Sequence, residues 1–281
     1  MSRLPASPID LHIHSSASDG ALEPEAIAAK ARALGLRLIA VTDHDRLEAS
    51  LDLARLLPGQ ALTGIELSCV EAGDPIDLLG LGLTDPAAIS TAISWPTLNV
   101  ARYRLWTESL ALIGVQLDPD APLEGLPARR VIGAAVAISP ALQATLGGRR
   151  WPSALQAAMS KGGSADIAPA LARSGLLPDV RTGIERIRTA GGVAVWAHPG
   201  LSLLGGLSIE PRLSAWVAAG LGGLEVYHPA HDAQVRRQLS AAARHYGLLR
   251  SVGSDTHDDP DTLGRAGLVP LEVVEAWLAR V

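Results

Sequence analysis

A short apolar segment near the start of the chain, Ile9-Asp10-Leu11-His12-Ile13-His14, constrains the fold more than any other feature. Successive side chains on a β-strand point to opposite faces, so the two histidines share one face and the aliphatic residues share the other. The segment runs into a Ser/Asp/Gly loop that contains Asp19. An apolar strand with two imidazoles on one face predicts half of a metal site. The alternative is a pair of core histidines satisfied by hydrogen bonds.

Short hydrophobic segments alternate with helical ones at both ends of the chain. The pattern predicts strands over 8–14, 37–42, 61–67, 76–83, 193–197, 223–227 and 248–252. Such alternation indicates an α/β fold with a parallel sheet. Because polar side chains follow nearly every strand, we expect the sheet to close into a barrel with its site at that rim. A doubly wound open sheet is the alternative, and it would gather its site at one switch point.

The middle of the chain has a different composition and a different sequence pattern. Between 86 and 180, helical Ala/Leu/Arg segments are separated by Pro and Gly, and none of the chain's eight histidines falls there. We therefore predict a mostly helical, substrate-selecting insertion over 86–180. The catalytic domain is then expected to consist of 1–85 and 181–281.

Composition excludes several classes of protein. The net charge is −5, and there is no basic run, which argues against stable binding of long nucleic acid. Cys69 is the one cysteine, so neither a disulfide framework nor a thiolate zinc site is expected. The N-terminal residues lack the pattern of a signal peptide, and no segment offers the roughly 20 uninterrupted apolar residues of a membrane span. We expect a soluble cytoplasmic protein that does not bind membranes.

Imidazole and carboxylate side chains collect at the predicted strand ends. The candidates are His12, His14, Asp19, His44, Glu66, Asp77, His198, Glu225, His228, Asp255 and His257. Such donors without thiolate suit Mn, Fe or Zn in a catalytic site. About nine ligands are too many for one ion, so the pattern predicts two or three divalent metal ions. Mn²⁺ is the ion we expect, with Fe or Zn as the alternatives.

Six motifs in chain order resemble the polymerase-and-histidinol-phosphatase (PHP) family. They are Asp10-Leu11-His12-Ile13-His14, Ser18-Asp19-Gly20, Val41-Thr42-Asp43-His44-Asp45, Gly64-Ile65-Glu66, Ala197-His198-Pro199 and Gly253-Ser254-Asp255-Thr256-His257. The resemblance implies a distorted seven-stranded β/α barrel with a trinuclear metal centre that hydrolyses phosphate esters. A hydroxide that bridges two metals would be the nucleophile.

The resemblance also implies which residues share each metal. The first would take His12, His14, Glu66 and Asp255; the second Glu66, His198 and Asp77; the third Asp19, His44 and His257. The family usually has a histidine where this chain has Asp77, and Asp74 is an alternative ligand there.

The helical insertion, led by 99–104, is similar to the branch of the family that acts on nucleotides. That branch includes nucleoside 3′,5′-bisphosphate and AMP phosphatases and a 5′→3′ exoribonuclease on short RNA. A small nucleotide, or a short oligonucleotide, is therefore the expected substrate. Arg129 and Arg102 are the predicted phosphate-binding residues, because arginine grips phosphate bidentately. The further arginines of the insertion are Arg104, Arg130, Arg149 and Arg150.

Two more histidines follow a strand on the same rim. His231 and His228 are predicted to be catalytic, since either could hydrogen-bond the substrate phosphate or protonate the leaving group. Glu225 lies beside them and is expected to support a ligand rather than bind a metal.

Two other classes of protein fit part of this pattern. Metal-dependent amidohydrolases also begin with His-x-His on a barrel strand, but they often need a carboxylated lysine. The lysines here, Lys30 and Lys161, are not at strand ends. An inactive metal-binding module is the other alternative. The replacement of the usual histidine by Asp77 would then be the first indication that the site has lost its activity.

Overall fold

The computed structural model describes residues 7–90, 94–147, 167–204, 209–257 and 259–280. By its internal contacts the chain divides into two compact units. The larger unit is Met1–Glu71, Ile76–Ile93 and Pro178–Val281, and the smaller unit is Ala72–Pro75 and Ser94–Leu177. No helix among the described residues is long and apolar enough to cross a membrane.

The strands are short and lie mostly in the larger unit. They are β1 (Ile9–Asp10), β2 (Leu38–Ile39), β3 (Gly64–Glu71), β4 (Asp74–Leu81), β5 (Val193–Trp196), β6 (Gly223–Tyr227) and β7 (Leu249–Val252). The described helices are α1 (Pro24–Leu34), α2 (Glu48–Leu56), α3 (Pro86–Ser90), α4 (Trp95–Ala111), α5 (Ala128–Ile138), α6 (Pro140–Thr145), α7 (Ala168–Ala172), α8 (Val180–Thr189), α9 (Pro199–Leu204), α10 (Ile209–Ala219), α11 (Ala233–His245) and α12 (Leu271–Leu278). A 3₁₀ turn covers Pro260–Thr262.

The α/β fold is confirmed, but the paired strands form two sheets. β1 pairs with β2, and the second sheet has the order β3-β4-β5-β6-β7. Isolated parallel bridges, such as Ile13 with Thr256 and His44 with Glu66, join further segments. Among the described residues no continuous ladder closes the ring, so the predicted seven-stranded barrel is not confirmed.

The prediction of a parallel sheet is wrong at β4. This strand is antiparallel to β5, whereas β5, β6 and β7 run parallel. The cause is the connection from β3, which consists of Ala72 and Gly73 with φ of 53° and 88°. Two successive residues with positive φ make the tight turn that reverses a chain into a hairpin. The reversal brings the early part of β4, including Asp77, to the ends of its neighbours.

The first two strands are shorter than predicted, because the backbone leaves regular pairing before the histidines. Hydrogen bonds continue irregularly beyond β1, from Leu11 N to Val252 O at 2.9 Å and from His14 N to Thr256 O at 3.0 Å. The segment that carries the two histidines is therefore hydrogen-bonded to the end of β7 and to the residues after it, although it is not part of a regular β-ladder.

Buried aliphatic and aromatic side chains hold these elements together. Strands β3 to β7 and helix α8 share one apolar cluster, and α1 and α2 cover a second one that contains Ile13. Trp196 of β5 and Trp216 of α10 are fully buried and meet edge to face, with ring centroids 4.7 Å apart. Burial of this surface stabilises the layer beneath the strand ends.

The smaller unit has its own apolar core. Tyr103, Leu110 and Ile132 pack together between α4 and α5. The buried Asn99 amide donates to Leu126 O at 2.8 Å and accepts from Ala128 N at 2.8 Å, which fixes the start of α5. Residues 94–147 and 167–177 contain helices and loops and no strand. The substrate-selecting role of 86–180 stays a prediction.

Candidate metal centre

The structure brings the nine predicted ligands together in the larger unit. Most of them follow a strand, so their side chains meet where the strands end. Glu66 is at the centre, with 1% of its surface exposed. Its Oε2 lies 3.2 Å from His12 Nε2 and 3.1 Å from His14 Nε2. The same oxygen lies 3.4 Å from His44 Nδ1, and Oε1 lies 3.0 Å from His198 Nε2.

Asp19 organises one side of this cluster. Its Oδ1 lies 3.2 Å from His14 Nδ1, and its Oδ2 lies 3.2 Å from His257 Nε2. His44 Nε2 is 3.9 Å from Asp19 Oδ2. The rings of His14 and His257 stack with centroids 4.0 Å apart. A single carboxylate therefore faces three imidazoles.

Asp255 and Asp77 complete the cluster. Asp255 Oδ1 lies 3.5 Å from His12 Nε2 and 3.2 Å from His14 Nε2. Asp77 Oδ2 lies 4.0 Å from His198 Nε2. Asp77 is inside β4 and reaches the cluster because that strand is antiparallel to its neighbour.

Among the described residues, three groups of donor atoms are close enough for each to hold a metal ion. They are His14, Asp19, His44 and His257; His12, His14 and Glu66; and His44, Glu66 and Asp77, with the atoms of each group within 4.8 Å of one another. His44 stands in two groups, whereas the resemblance implies that it serves only the third metal. The donors are imidazole nitrogens and carboxylate oxygens, a set that suits Mn, Fe or Zn.

The side chains in the cluster perturb one another's pKa strongly. Burial lowers the pKa of His12, but Glu66, Glu225 and Asp255 outweigh it and hold that pKa well above its usual range. Burial raises the pKa of Glu66, but the facing histidines hold it well below its usual range. Burial and the charge of Glu66 raise the pKa of Asp77 to about 6. The excess of negative charge on the carboxylates of this cluster favours the binding of divalent cations.

The same charges predict how the metal-free protein responds to pH. Burial lowers the pKa of His198, but the hydrogen bond and charge of Glu66, with Asp77 and Asp255, raise it overall from 6.5 to about 9. A histidine whose pKa is higher in the folded than in the unfolded protein stabilises the fold fully at pH values below its unfolded pKa. That contribution is lost as the pH rises through its folded pKa. We expect the free energy of unfolding of EDTA-treated protein to fall between pH 6.5 and 9, as measured by urea denaturation. His198→Gln should flatten that fall, and an equal fall in this variant would contradict the assignment.

Two buried carboxylates fix the loops that carry ligands. Asp43 accepts hydrogen bonds from Ser15 N at 2.8 Å and from the hydroxyl of Ser18, which shapes the loop that leads to Asp19. Asp10 accepts from Ser254 N at 2.9 Å, directly before Asp255, and from a second backbone N–H further along. Both carboxylates bind backbone N–H groups, and Asp43 also binds hydroxyls, whereas neither hydrogen-bonds an imidazole in these contacts.

His228 and His231 have different surroundings, although the sequence treats them alike. His228 Nδ1 accepts from Ala230 N at 3.1 Å, and its Nε2 lies 3.4 Å from Asp255 Oδ2. His231 Nε2 accepts from Gly200 N at 3.0 Å, and its Nδ1 donates to Val226 O at 3.0 Å. Both ring nitrogens of His231 are thus occupied by backbone groups, so the geometry does not support its predicted catalytic role.

Arg236 is a residue that sequence reasoning misses. Its guanidinium donates to His231 O, His228 O and Ala266 O, each at 3.0 Å. It therefore holds the loop that carries both histidines. An arginine in the first turn of a helix belongs to no motif, so nothing in the sequence separates it from a solvated surface charge.

The predicted phosphate-binding arginines lie in the smaller unit. Arg102 is in α4 and Arg129 is in α5. Arg149, Arg150 and Lys161 lie outside the described residues. A substrate contact by Arg102 or Arg129 stays a prediction.

Comparisons with known proteins identify the family. A family model for the PHP domain matches residues 10–88. A phosphoribosyl 1,2-cyclic phosphate 1,2-diphosphodiesterase from Eggerthella lenta is 31% identical over 93% of this chain and 96% of that protein. A 5′-3′ exoribonuclease from Haemophilus influenzae is 28% identical over 88% of this chain and 89% of that protein. A 3′,5′-nucleoside bisphosphate phosphatase from Chromobacterium violaceum is 27% identical over 89% of this chain and 87% of that protein.

The names of these three relatives describe reactions of one kind, since each cleaves a phosphate ester. The larger unit of this chain offers clustered nitrogen and oxygen donors of the type that hold divalent ions in such enzymes. The family expected from the six motifs is thereby confirmed. The chain belongs to the PHP domain family, and it is a metal-dependent phosphoesterase.

Proposed function

We propose that this phosphoesterase hydrolyses phosphate monoesters of small nucleotides, such as a nucleoside 3′,5′-bisphosphate or AMP. The observation that carries the proposal is the convergence of four imidazoles on the buried Glu66 carboxylate. The bisphosphate phosphatase from C. violaceum supports a nucleotide substrate. The net charge of −5 favours a small substrate over a long polyanion.

Three ions, with Mn²⁺ expected, would be held by the predicted sets. The first is His12, His14, Glu66 and Asp255; the second Glu66, His198 and Asp77; the third Asp19, His44 and His257. Support comes from ligand atoms that face each other across short distances, such as the Nε2 atoms of His12 and His14, 3.1 Å apart. His44 faces both Glu66 and Asp19, so it is available to either the second or the third ion.

We also propose that the seven strands form the distorted barrel of the family. The bridge between Ile13 and Thr256 connects the β1 side with the β7 side, and the bridge between His44 and Glu66 connects the β2 side with β3. These links would complete a ring with the ligands at one end. A cytoplasmic location stays a prediction of the sequence.

His228 is the residue that we assign to the leaving group. Because Ala230 N donates to His228 Nδ1, the neutral ring carries its proton on Nε2, the atom that faces Asp255. Divalent ions bound at the centre would make two contributions. They would supply a bound water molecule that ionises near neutral pH, and their positive charge would stabilise the phosphoryl oxygens. The Nε2–H of His228 is placed to donate a hydrogen bond to the oxygen of the leaving group and to stabilise the negative charge that develops there.

Phosphate release tests this function directly. The protein reconstituted with Mn²⁺ is assayed on adenosine 3′,5′-bisphosphate, AMP and a 5′-phosphorylated RNA oligomer. We expect release from the bisphosphate or AMP, loss of release with EDTA, and loss in His12→Ala. His245→Ala is the matched control, because this histidine lies at the end of α11 and belongs to none of the donor groups.

The other outcomes separate the alternatives. Selective attack on the oligomer would favour the exoribonuclease named among the relatives. A cyclic phosphodiester, such as a ribose 1,2-cyclic phosphate, is a fourth substrate, and its exclusive cleavage would favour the diesterase named there. No turnover of any of the four, in protein that binds Mn²⁺, would contradict the proposal.

A further inference from the structure

The backbone at His198 has an unfavourable conformation. Its φ is 31°, in the left-handed region that costs energy for a residue with a side chain. His198 lies between β5, which ends at Trp196, and α9, which begins at Pro199. A residue keeps such a backbone conformation only when contacts with the surrounding structure hold it there. The imidazole that reaches Glu66 therefore depends on groups that hold this turn.

Two buried side chains from the neighbouring strand hold the turn by its backbone. Glu225 Oε2 in β6 accepts from His198 N at 2.7 Å. His231 Nε2, in the loop after β6, accepts from Gly200 N at 3.0 Å. Glu225 is 0% exposed and His231 is 3% exposed. The two N–H groups on either side of Pro199 are thus both bound to side chains of one segment.

Each of these side chains is itself fixed at its other polar atom. Glu225 Oε1 accepts from His12 Nδ1 at 3.1 Å, so one carboxylate joins the ring of His12 to the backbone of His198. His231 Nδ1 donates to Val226 O at 3.0 Å, which sets the tautomer in which Nε2 accepts. A Cβ on Gly200 would come within 2.4 Å of the His231 ring. The ring and the turn are therefore in close contact, and neither can shift alone.

We propose that Glu225 and His231 are positioning residues that hold the turn at 198–200 and so set the affinity of the ion that His198 would help to bind. The inference rests on the proposed function, because it takes His198 as a metal ligand. It gives His231 a role that acts through His198 and does not require contact with the substrate. Groups of this kind orient ligands, and their loss typically weakens metal binding about 10–100-fold.

The test compares His231→Leu, which removes the acceptor, with His231→Gln, whose amide oxygen can replace Nε2. Mn²⁺ binding is titrated in the whole protein, with free Mn²⁺ followed by its electron paramagnetic resonance signal. We expect one class of site in His231→Leu to weaken at least about 10-fold, and His231→Gln to recover most of that loss. His245→Leu should bind Mn²⁺ as the unaltered protein does.

Glu225→Gln provides a second variant of unchanged size in case His231→Leu does not fold. Its amide offers one acceptor oxygen instead of two, so we expect the same class of site to weaken. Activity adds a further distinction: in a positioning variant it should return at saturating Mn²⁺, whereas loss of a proton donor would persist.

Three results would overturn the inference. The first is Mn²⁺ binding by His231→Leu and Glu225→Gln that equals that of the unaltered protein. The second is an activity loss in His231→Leu that saturating Mn²⁺ does not restore. The third is an unaltered protein that binds no Mn²⁺, and this result would overturn the proposed function as well.

Discussion

Replacing Glu66 with glutamine should lower phosphate release by roughly 10³-fold or more, which corresponds to the several kcal/mol that bound metal ions contribute to such reactions. The carboxylate contacts His12, His14 and His198 within 3.2 Å and is almost fully buried. Glutamine keeps the size but removes the charge, and its amide nitrogen cannot bind a cation. Two of the three proposed ions share this residue.

Metal analysis distinguishes this effect from misfolding. We expect Glu66→Gln to retain less tightly bound Mn²⁺ than the unaltered protein while it keeps its circular dichroism spectrum. Glu25→Gln is the matched control, because Glu25 is exposed on α1 and belongs to none of the three donor groups. If Glu66→Gln keeps full activity and a full complement of metal, the carboxylate is not the shared ligand.

Replacing His228 with alanine should lower kcat about 10²-fold for a nucleotide ester, the low end of the range for loss of one hydrogen-bond donor to a developing oxyanion. The leaving alkoxide of such an ester is stabilised by a hydrogen bond as its charge develops, and His228 Nε2–H is the group placed to donate one. An aryl phosphate with a good leaving group has much less need of one. We therefore expect the same variant to lose less than about 10-fold in kcat on p-nitrophenyl phosphate.

The dependence on the leaving group is the diagnostic part of this prediction. Bound Mn²⁺ should be unchanged in His228→Ala, because His228 belongs to none of the three donor groups. An equal loss of kcat on both esters would show that His228 does not act on the leaving group. Loss of Mn²⁺ together with activity would instead make it a ligand.

The sequence predicts the cluster of donor side chains well where a motif links residue type to a strand end. His12 and His14 share a face, as their spacing requires, and Glu66, His198 and Asp255 meet them. Strand period and residue chemistry are local properties, so one chain is enough to find them. The α/β alternation is a local signal of the same kind.

The features that sequence reasoning misses depend on contacts between distant segments. His228 and His231 are three residues apart, yet one faces the cluster and the other binds backbone on both sides. Their difference depends on where Gly200 and Ala230 direct their N–H groups, which no motif records. The direction of β4 similarly depends on the two-residue turn at Ala72 and Gly73, so its reversal is easily missed in a run of parallel strands.

The measurement that tests the central claim most directly is an anomalous difference map at the manganese edge from crystals of Mn²⁺-loaded protein. We expect peaks between the Glu66 carboxylate and the facing imidazoles of His12, His14 and His198. Further peaks are expected between Asp19 and His257. Peaks confined to other parts of the protein, in crystals of active enzyme, would contradict the account, because they would show that the reaction does not use this cluster.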